Sequence, residues 1–332
     1  MKNKKSRLFQ FFDPNRDARM DAVEEDTTPT LKRYFKLLGR KFWKLISLSF
    51  LMLPMILPVI LVLYFYLSSD RTPIQDDLIF SQLYGANLID PTPTSTLLLD
   101  LFGAQLSIPV YSNTLTYVLM GIAIVFLAVT FGWQNVGVSY ILRSFVRGEP
   151  VFLFSDYFYA IKRNLKQGFF LGLLDLGAIV LLVFDFIWFS SQPSSFLVDF
   201  GYFSILLIAL LYFLMRLYLY LMLVTFDLSI KKILKNALIF SVLGIKRNVM
   251  AILGLAVVTA LQILLFVTFQ TTGIGIGIPL MIMLIYYLGV TSFTCAYAAY
   301  PVIDRFMIEP YRDPEGDSPD EDDAEKAEKL EE

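Results

Sequence analysis

Six stretches of this 332-residue chain exceed the roughly 18 apolar residues that mark a candidate bilayer-crossing helix. They run over about 45–67, 114–142, 168–190, 200–226, 249–271 and 278–303. Lipid leaves an unpaired backbone amide without a partner, so each run predicts a helix. The expected fold is all-α: a polytopic membrane bundle of six transmembrane helices. Residues 1–44 form a basic N-terminal segment, 45–305 the membrane domain with an insert at 68–113, and 306–332 an acidic tail. The first run follows basic residues as a signal peptide would. It is too long, begins too late and lacks a small-residue cleavage site. Pro54 and Pro58 are expected to kink it without breaking it.

Lysine and arginine set the expected orientation. Twelve basic residues precede the first run, whereas 68–113 holds only Arg71. Residues 143–167 carry Arg143, Arg147, Lys162, Arg163 and Lys166, and 227–248 carry Lys231, Lys232, Lys235, Lys246 and Arg247. The connections 191–199 and 272–277 have none. This alternation predicts both termini in the cytoplasm. Basic residues spread in this way do not suggest nucleic-acid binding.

Ile161-Lys162-Arg163-Asn164 recurs letter for letter as Ile245-Lys246-Arg247-Asn248. With spans two and three around the first copy and four and five around the second, the chain reads as a parallel internal repeat. Each intervening loop is expected to hold an amphipathic helix along the cytoplasmic surface. In the first, Pro150 and Ser155 mark the start, with Tyr157, Phe158, Ile161 and Leu165 inward. In the second, Asp227 or Ser229 caps a helix that buries Ile230, Ile233, Leu234, Ala237 and Leu238 and stops at Gly244.

The same loops carry a resemblance. Val146-Arg147-Gly148-Glu149, Asp156-Tyr157-Phe158 and Lys162-Arg163-Asn164-Leu165-Lys166-Gln167-Gly168 resemble the central motif of the YesL-like bacterial integral membrane proteins. Thr225-Phe226-Asp227-Leu228-Ser229-Ile230-Lys231-Lys232-Ile233-Leu234-Lys235-Asn236-Ala237 is similar to their second motif. The lead from Lys32-Arg33-Tyr34-Phe35-Lys36 to Phe42-Trp43-Lys44-Leu45 is similar too, and the likeness covers most of 31–305. The resemblance implies a plasma-membrane protein of a Gram-positive bacterium, without established activity. It also implies an accessory role in carbohydrate uptake, with sugar ABC permease subunits as partners. The insert and the acidic tail depart from the family pattern. The insert is expected to be a long connector or a short lid, and the tail, with Asp320-Glu321-Asp322-Asp323, a disordered segment.

The chemistry lies inside the membrane. Asp175 and Arg216 each cost at least about 2.5–3.5 kcal/mol near the centre of a span. At 1.5 Å per residue they fall about 10 and about 15 Å from the inner ends of spans three and four, close enough to pair. Gln134, Asn135, Thr291 and Thr294 fall in a similar layer. Such a layer either binds a polar solute or ties helices together. The second candidate surface is cytoplasmic, for lipid or a partner: Arg147, Glu149, Lys162, Arg163, Lys166, Lys231, Lys232, Lys235, Lys246 and Arg247.

The chain has no histidine and one cysteine, Cys295, so a disulfide framework or a clustered Cys/His metal site cannot be built. No cofactor is expected. Gly273, Gly275 and Gly277 have the wrong spacing for a dinucleotide fingerprint and suit a tight turn. No nucleophile–base, paired-carboxylate or metal constellation stands at workable spacing, so an enzyme is not expected. An accessory component of carbohydrate uptake is the leading expectation, and a stand-alone transporter or channel using the polar layer is the alternative.

Overall fold

The computed structural model describes residues 28–67, 70–73, 107–110, 114–271 and 277–311. The acidic tail, most of the insert and residues 272–276, with Gly273 and Gly275 and the tight turn expected there, lie outside the described residues. The described chain is helical apart from one antiparallel pairing of β1 (Asp70–Pro73) with β2 (Ser107–Val110), in which Asp70 faces Val110. It contains six helices long and apolar enough to cross a membrane. The protein is thus a multi-pass membrane protein whose apolar helix faces suit contact with lipid.

These helices outrun the apolar stretches at their polar ends. Helix α1 spans Leu31–Leu67 and takes in the whole basic aromatic lead, with Pro54 and Pro58 inside it. Helix α2 is Thr114–Arg147, α3 Leu153–Arg163, α4 Leu165–Ser190 and α5 Phe196–Thr225. Then come α6 (Ile230–Leu243), α7 (Ile245–Thr271), α8 (Gly277–Ile282) and α9 (Leu288–Ile303). A π-helical turn, Met283–Tyr287, separates α8 from α9, and a second, Asp304–Ile308, follows α9.

Two compact units result: residues 53–130, and a larger one of 1–52 with 131–332. The smaller holds the later part of α1, the strand pair and the start of α2. Among its described residues the apolar side chains are mostly exposed, Leu57, Leu63, Ile122 and Val125 included. The larger is organised around α9, which is buried along most of its length.

Within the larger unit burial is concentrated at one end. The last third of α5, from Tyr218 to Val224, is fully enclosed, whereas Phe196 at its start is 83% exposed. The enclosed end is also where the short helices α3 and α6 branch off and where the loop lysines and arginines collect; we call it the basic end. Along the middle of the spans the exposed side chains are mostly apolar, as lipid-facing positions are.

Apolar side chains gain little by leaving lipid for one another, so close backbone contact and interhelical hydrogen bonds must hold such helices together. Gly168 and Gly172, one turn apart on α4, do this against Gly132 of α2. A Cβ on Gly132 would overlap the Gly168 carbonyl oxygen and stand 2.7 Å from the Gly172 Cα. Helix α1 meets α9 in a similar way, the Gly289 amide donating to the Ser49 hydroxyl at 2.9 Å. Leu37, Lys41, Leu45, Leu48 and Met52 form the buried stripe of α1 at helical spacing.

The two short helices are amphipathic as expected, with corrected faces. In α3 the inward residues are Tyr157 and Ala160, and Phe158 points outward; Leu165, expected on the same inward face, instead opens α4 and is exposed. Burial drives the Tyr157 phenol pKa up to about 12. Neither Ser155 nor Ser229 supplies a side-chain cap. Phe152 stands at the α3 N-cap, and the Asp156 carboxylate reaches back to accept from its amide at 2.8 Å. In α6, Ile233, Ala237, Phe240 and Ser241 are buried and Leu238 is exposed. Gly244 ends α6 as expected.

The repeated tetrapeptide does not occupy equivalent places. A single residue separates each short helix from the long one after it: Asn164 between α3 and α4, Gly244 between α6 and α7. The first copy therefore ends α3, and the second opens α7, one turn later. The Asn164 side-chain amide donates to the Ala160 carbonyl behind it at 2.9 Å. Asn248 is buried instead, accepting from the Tyr218 hydroxyl at 2.5 Å and donating to the Ser241 carbonyl at 2.9 Å. The order long helix, short helix, break, long helix does recur; the identical letters serve different contacts.

Candidate functional site

Because α4 begins at Leu165 and α5 ends at Thr225, Asp175 and Arg216 lie about 15 and about 14 Å from the basic end at the helical rise. Antiparallel neighbours at matched depth bring the two side chains together. Arg216 Nε donates to both Asp175 oxygens, at 3.1 and 3.0 Å. The carboxylate accepts two further bonds, from the Tyr212 hydroxyl at 2.7 Å and the Tyr220 hydroxyl at 2.8 Å. With both oxygens hydrogen-bonded and no side-chain exposure left, Asp175 is a well-satisfied acceptor. A charge is tolerated in the membrane on these terms, paired and fully hydrogen-bonded.

Arg216 is less enclosed, retaining 32% of its side-chain exposure. Its guanidinium lies 5.6 Å from the Phe131 ring centroid, and Nη2 reaches Asn135 Oδ1 at 3.5 Å. Asn135 donates to the Phe131 carbonyl at 2.8 Å. Arg216 borders a cleft of about 240 Å³. Asn135, Ser139, Tyr220, Thr291, Ser292 and Cys295 line it with Arg216, alongside apolar residues of α1, α2, α5, α7 and α9.

The expected polar layer is therefore assembled in part. Asp175, Arg216 and Asn135 meet. Gln134 is buried on α2 but neither lines the cleft nor bonds the ion pair among the described contacts. Thr294 belongs elsewhere: its hydroxyl donates to the Val290 carbonyl and contacts the Tyr34 hydroxyl, both at 2.8 Å. Tyr34 stacks on Phe293, so this cluster fixes the start of α1 rather than the cleft. Thr291 and Cys295, each one turn from a neighbour on the lining face of α9, border the cleft instead. Tyr212 and Tyr220 were missing from the expected set. Their signal was present, since they flank Arg216 at i−4 and i+4 and so share its helix face.

The basic residues divide into two groups. Arg33 donates to the Val146 carbonyl at 2.9 Å and Arg143 to the Val224 carbonyl at 2.7 Å, satisfying helix C-termini as cations do. Arg247 donates to the Pro29 carbonyl at 3.2 Å, and Arg147 pairs with Glu149 at 3.0 Å. Lys162, Arg163, Lys166, Lys231, Lys232, Lys235 and Lys246 are exposed at the basic end. Among the described residues no group of histidine, cysteine or carboxylate side chains is placed to hold a metal ion.

Comparison with known proteins gave no matching family model, no similar curated protein and no similar solved structure.

Proposed function

We propose that this chain is a non-enzymatic component of a bacterial plasma membrane that binds a small polar solute in the cleft beside Arg216. The observation that carries the reading is the unequal use of the ion pair. Asp175 is fully buried and accepts from three donors, while Arg216, whose single Nε proton is shared between the two carboxylate oxygens, stays partly exposed and lines the cleft. A purely structural pair has no need of an adjoining cavity that also carries Asn135, Ser139, Thr291 and Ser292 on its wall. The solute is rich in acceptor oxygens, because the guanidinium can only donate. Transport by the chain alone is compatible with this site. Both termini lie in the cytoplasm, following the basic residues, and the recurring helix order reflects a parallel duplication.

The test is solute binding by the purified protein in nanodiscs, using hexoses and small carboxylates as probes. At least one should raise the melting temperature, and Arg216→Gln should weaken its binding by about tenfold or more, the expected loss of a charged hydrogen bond. An unaltered response in Arg216→Gln would remove the cleft from the binding account.

A second reading is an accessory role in carbohydrate ABC-type uptake. It is supported by the YesL-like motifs, which fall on α3, α6 and their flanks beside the exposed lysines. Under this reading, purification in mild detergent should recover permease subunits with the chain. Recovery of the bare chain from cells expressing such a permease would count against it.

A further inference from the structure

The basic end holds a second cleft, of about 480 Å³, where α3 passes into α4 and α5 ends. Lys162 and Arg163 border it from the last turn of α3, and Lys166 and Gln167 from the first turn of α4; Asp227 stands opposite. No ion pair or hydrogen bond engages the side chains of Lys162, Arg163 or Lys166 among the described residues. Three cations against one carboxylate leave the cleft positive.

Asn164, at the break between α3 and α4, turns its side-chain amide back to the Ala160 carbonyl. Three cations converging on one cleft suit a phosphate.

Position identifies the source of that phosphate. The exposed face of α3 carries Phe154, Phe158 and Tyr159 beside Lys162. Aromatic rings with lysine mark the boundary between hydrocarbon and headgroups. The first spanning turn of α4 leaves from that level, so the cleft lies among headgroups. Its wall continues into Leu223, Val224 and Phe226, which suits the glycerol and first acyl carbons of an amphiphile. Asp227 can accept from a hydroxyl beyond the phosphate.

We propose that this cleft is a specific site for a phospholipid with an anionic phosphodiester and a hydroxyl-bearing headgroup. Phosphate binds Arg163 and Lys166; Lys162 closes the α3 side, and Asp227 accepts from the headgroup hydroxyl. The site is separate from the Arg216 cleft and does not depend on the solute reading.

The full chain in detergent, examined by native mass spectrometry against phosphatidylglycerol, phosphatidylcholine and inorganic phosphate, tests it. Phosphatidylglycerol should be retained about tenfold or more over phosphatidylcholine, since each basic contact to an anionic lipid contributes up to about fivefold and three line the cleft. Arg163→Gln with Lys166→Gln should bring the two lipids within about twofold, whereas Lys231→Gln with Lys232→Gln on α6 should leave the preference intact. If the first pair of changes prevents folding, Lys162→Gln alone should still reduce the preference by about threefold. Equal retention of the two lipids overturns the proposal, as does a preference untouched by the α3–α4 changes. Protection from heat by inorganic phosphate equal to that by phosphatidylglycerol would also overturn it, since the ligand would then be a free phosphate.

Discussion

Replacing Asp175 by alanine should destabilise the protein by about 3–5 kcal/mol, the range for removing one partner of a buried ion pair. The loss is large because the carboxylate accepts from Arg216, Tyr212 and Tyr220 at once, so one substitution strands three donors in a low-dielectric interior. Unfolding in mixed detergent micelles would measure it. Replacing the pair together, Asp175→Ala with Arg216→Leu, should recover most of the stability, since no charge is then left uncompensated. If the cleft binds solute, the rescued double variant should remain unable to do so. A loss below about 1 kcal/mol for Asp175→Ala would mean that water or lipid headgroups replace the missing acceptor, and that the pair does not hold α4 to α5.

A comparable loss, about 3 kcal/mol or more, is expected for Gly172→Val on the neighbouring face of α4, at or above the upper end of overpacking costs. Here the obstacle is backbone, not a side chain that can rotate away. A Cβ at Gly172 would overlap the Gly132 backbone, so α2 and α4 would have to separate and forfeit dispersion contacts along their crossing. Gly177 on the same helix has open space at its Cβ, so Gly177→Ala provides the matched control and should change stability little. Equal melting temperatures for Gly172→Val and the native protein would show that the two helices do not pack through these glycines.

The periodicity and length of the apolar runs made six spans legible, because lipid imposes one rule on every backbone amide. What they could not mark was where each helix stops at the basic end. Leu31–Arg40 looked like a polar leader yet continues α1, since its buried stripe through Leu37 and Lys41 extends beyond the apolar run. Asp175 and Arg216 were legible as a pair because charge inside a span is rare and depth follows from counting residues. Thr294 was misplaced for the converse reason: depth alone does not say toward which neighbour a residue points, and its face of α9 meets Tyr34. Phe158 was assigned inward as an apolar residue at helical spacing, but for a surface helix lipid is as good a partner as the protein core.

Helix α9 is bounded by two π-helical turns, Met283–Tyr287 and Asp304–Ile308. Such a turn holds one residue more than an α-helical turn of the same rise. Each is in effect a spare letter absorbed without unwinding the span. The interval between them, carrying Thr291, Ser292 and Cys295, is thereby phased independently of the helix on either side. Chains one residue shorter at 283–287 could keep this interval unchanged while rotating only what precedes it, so the lining of the cleft and the lipid-facing start of the span are free to diverge separately.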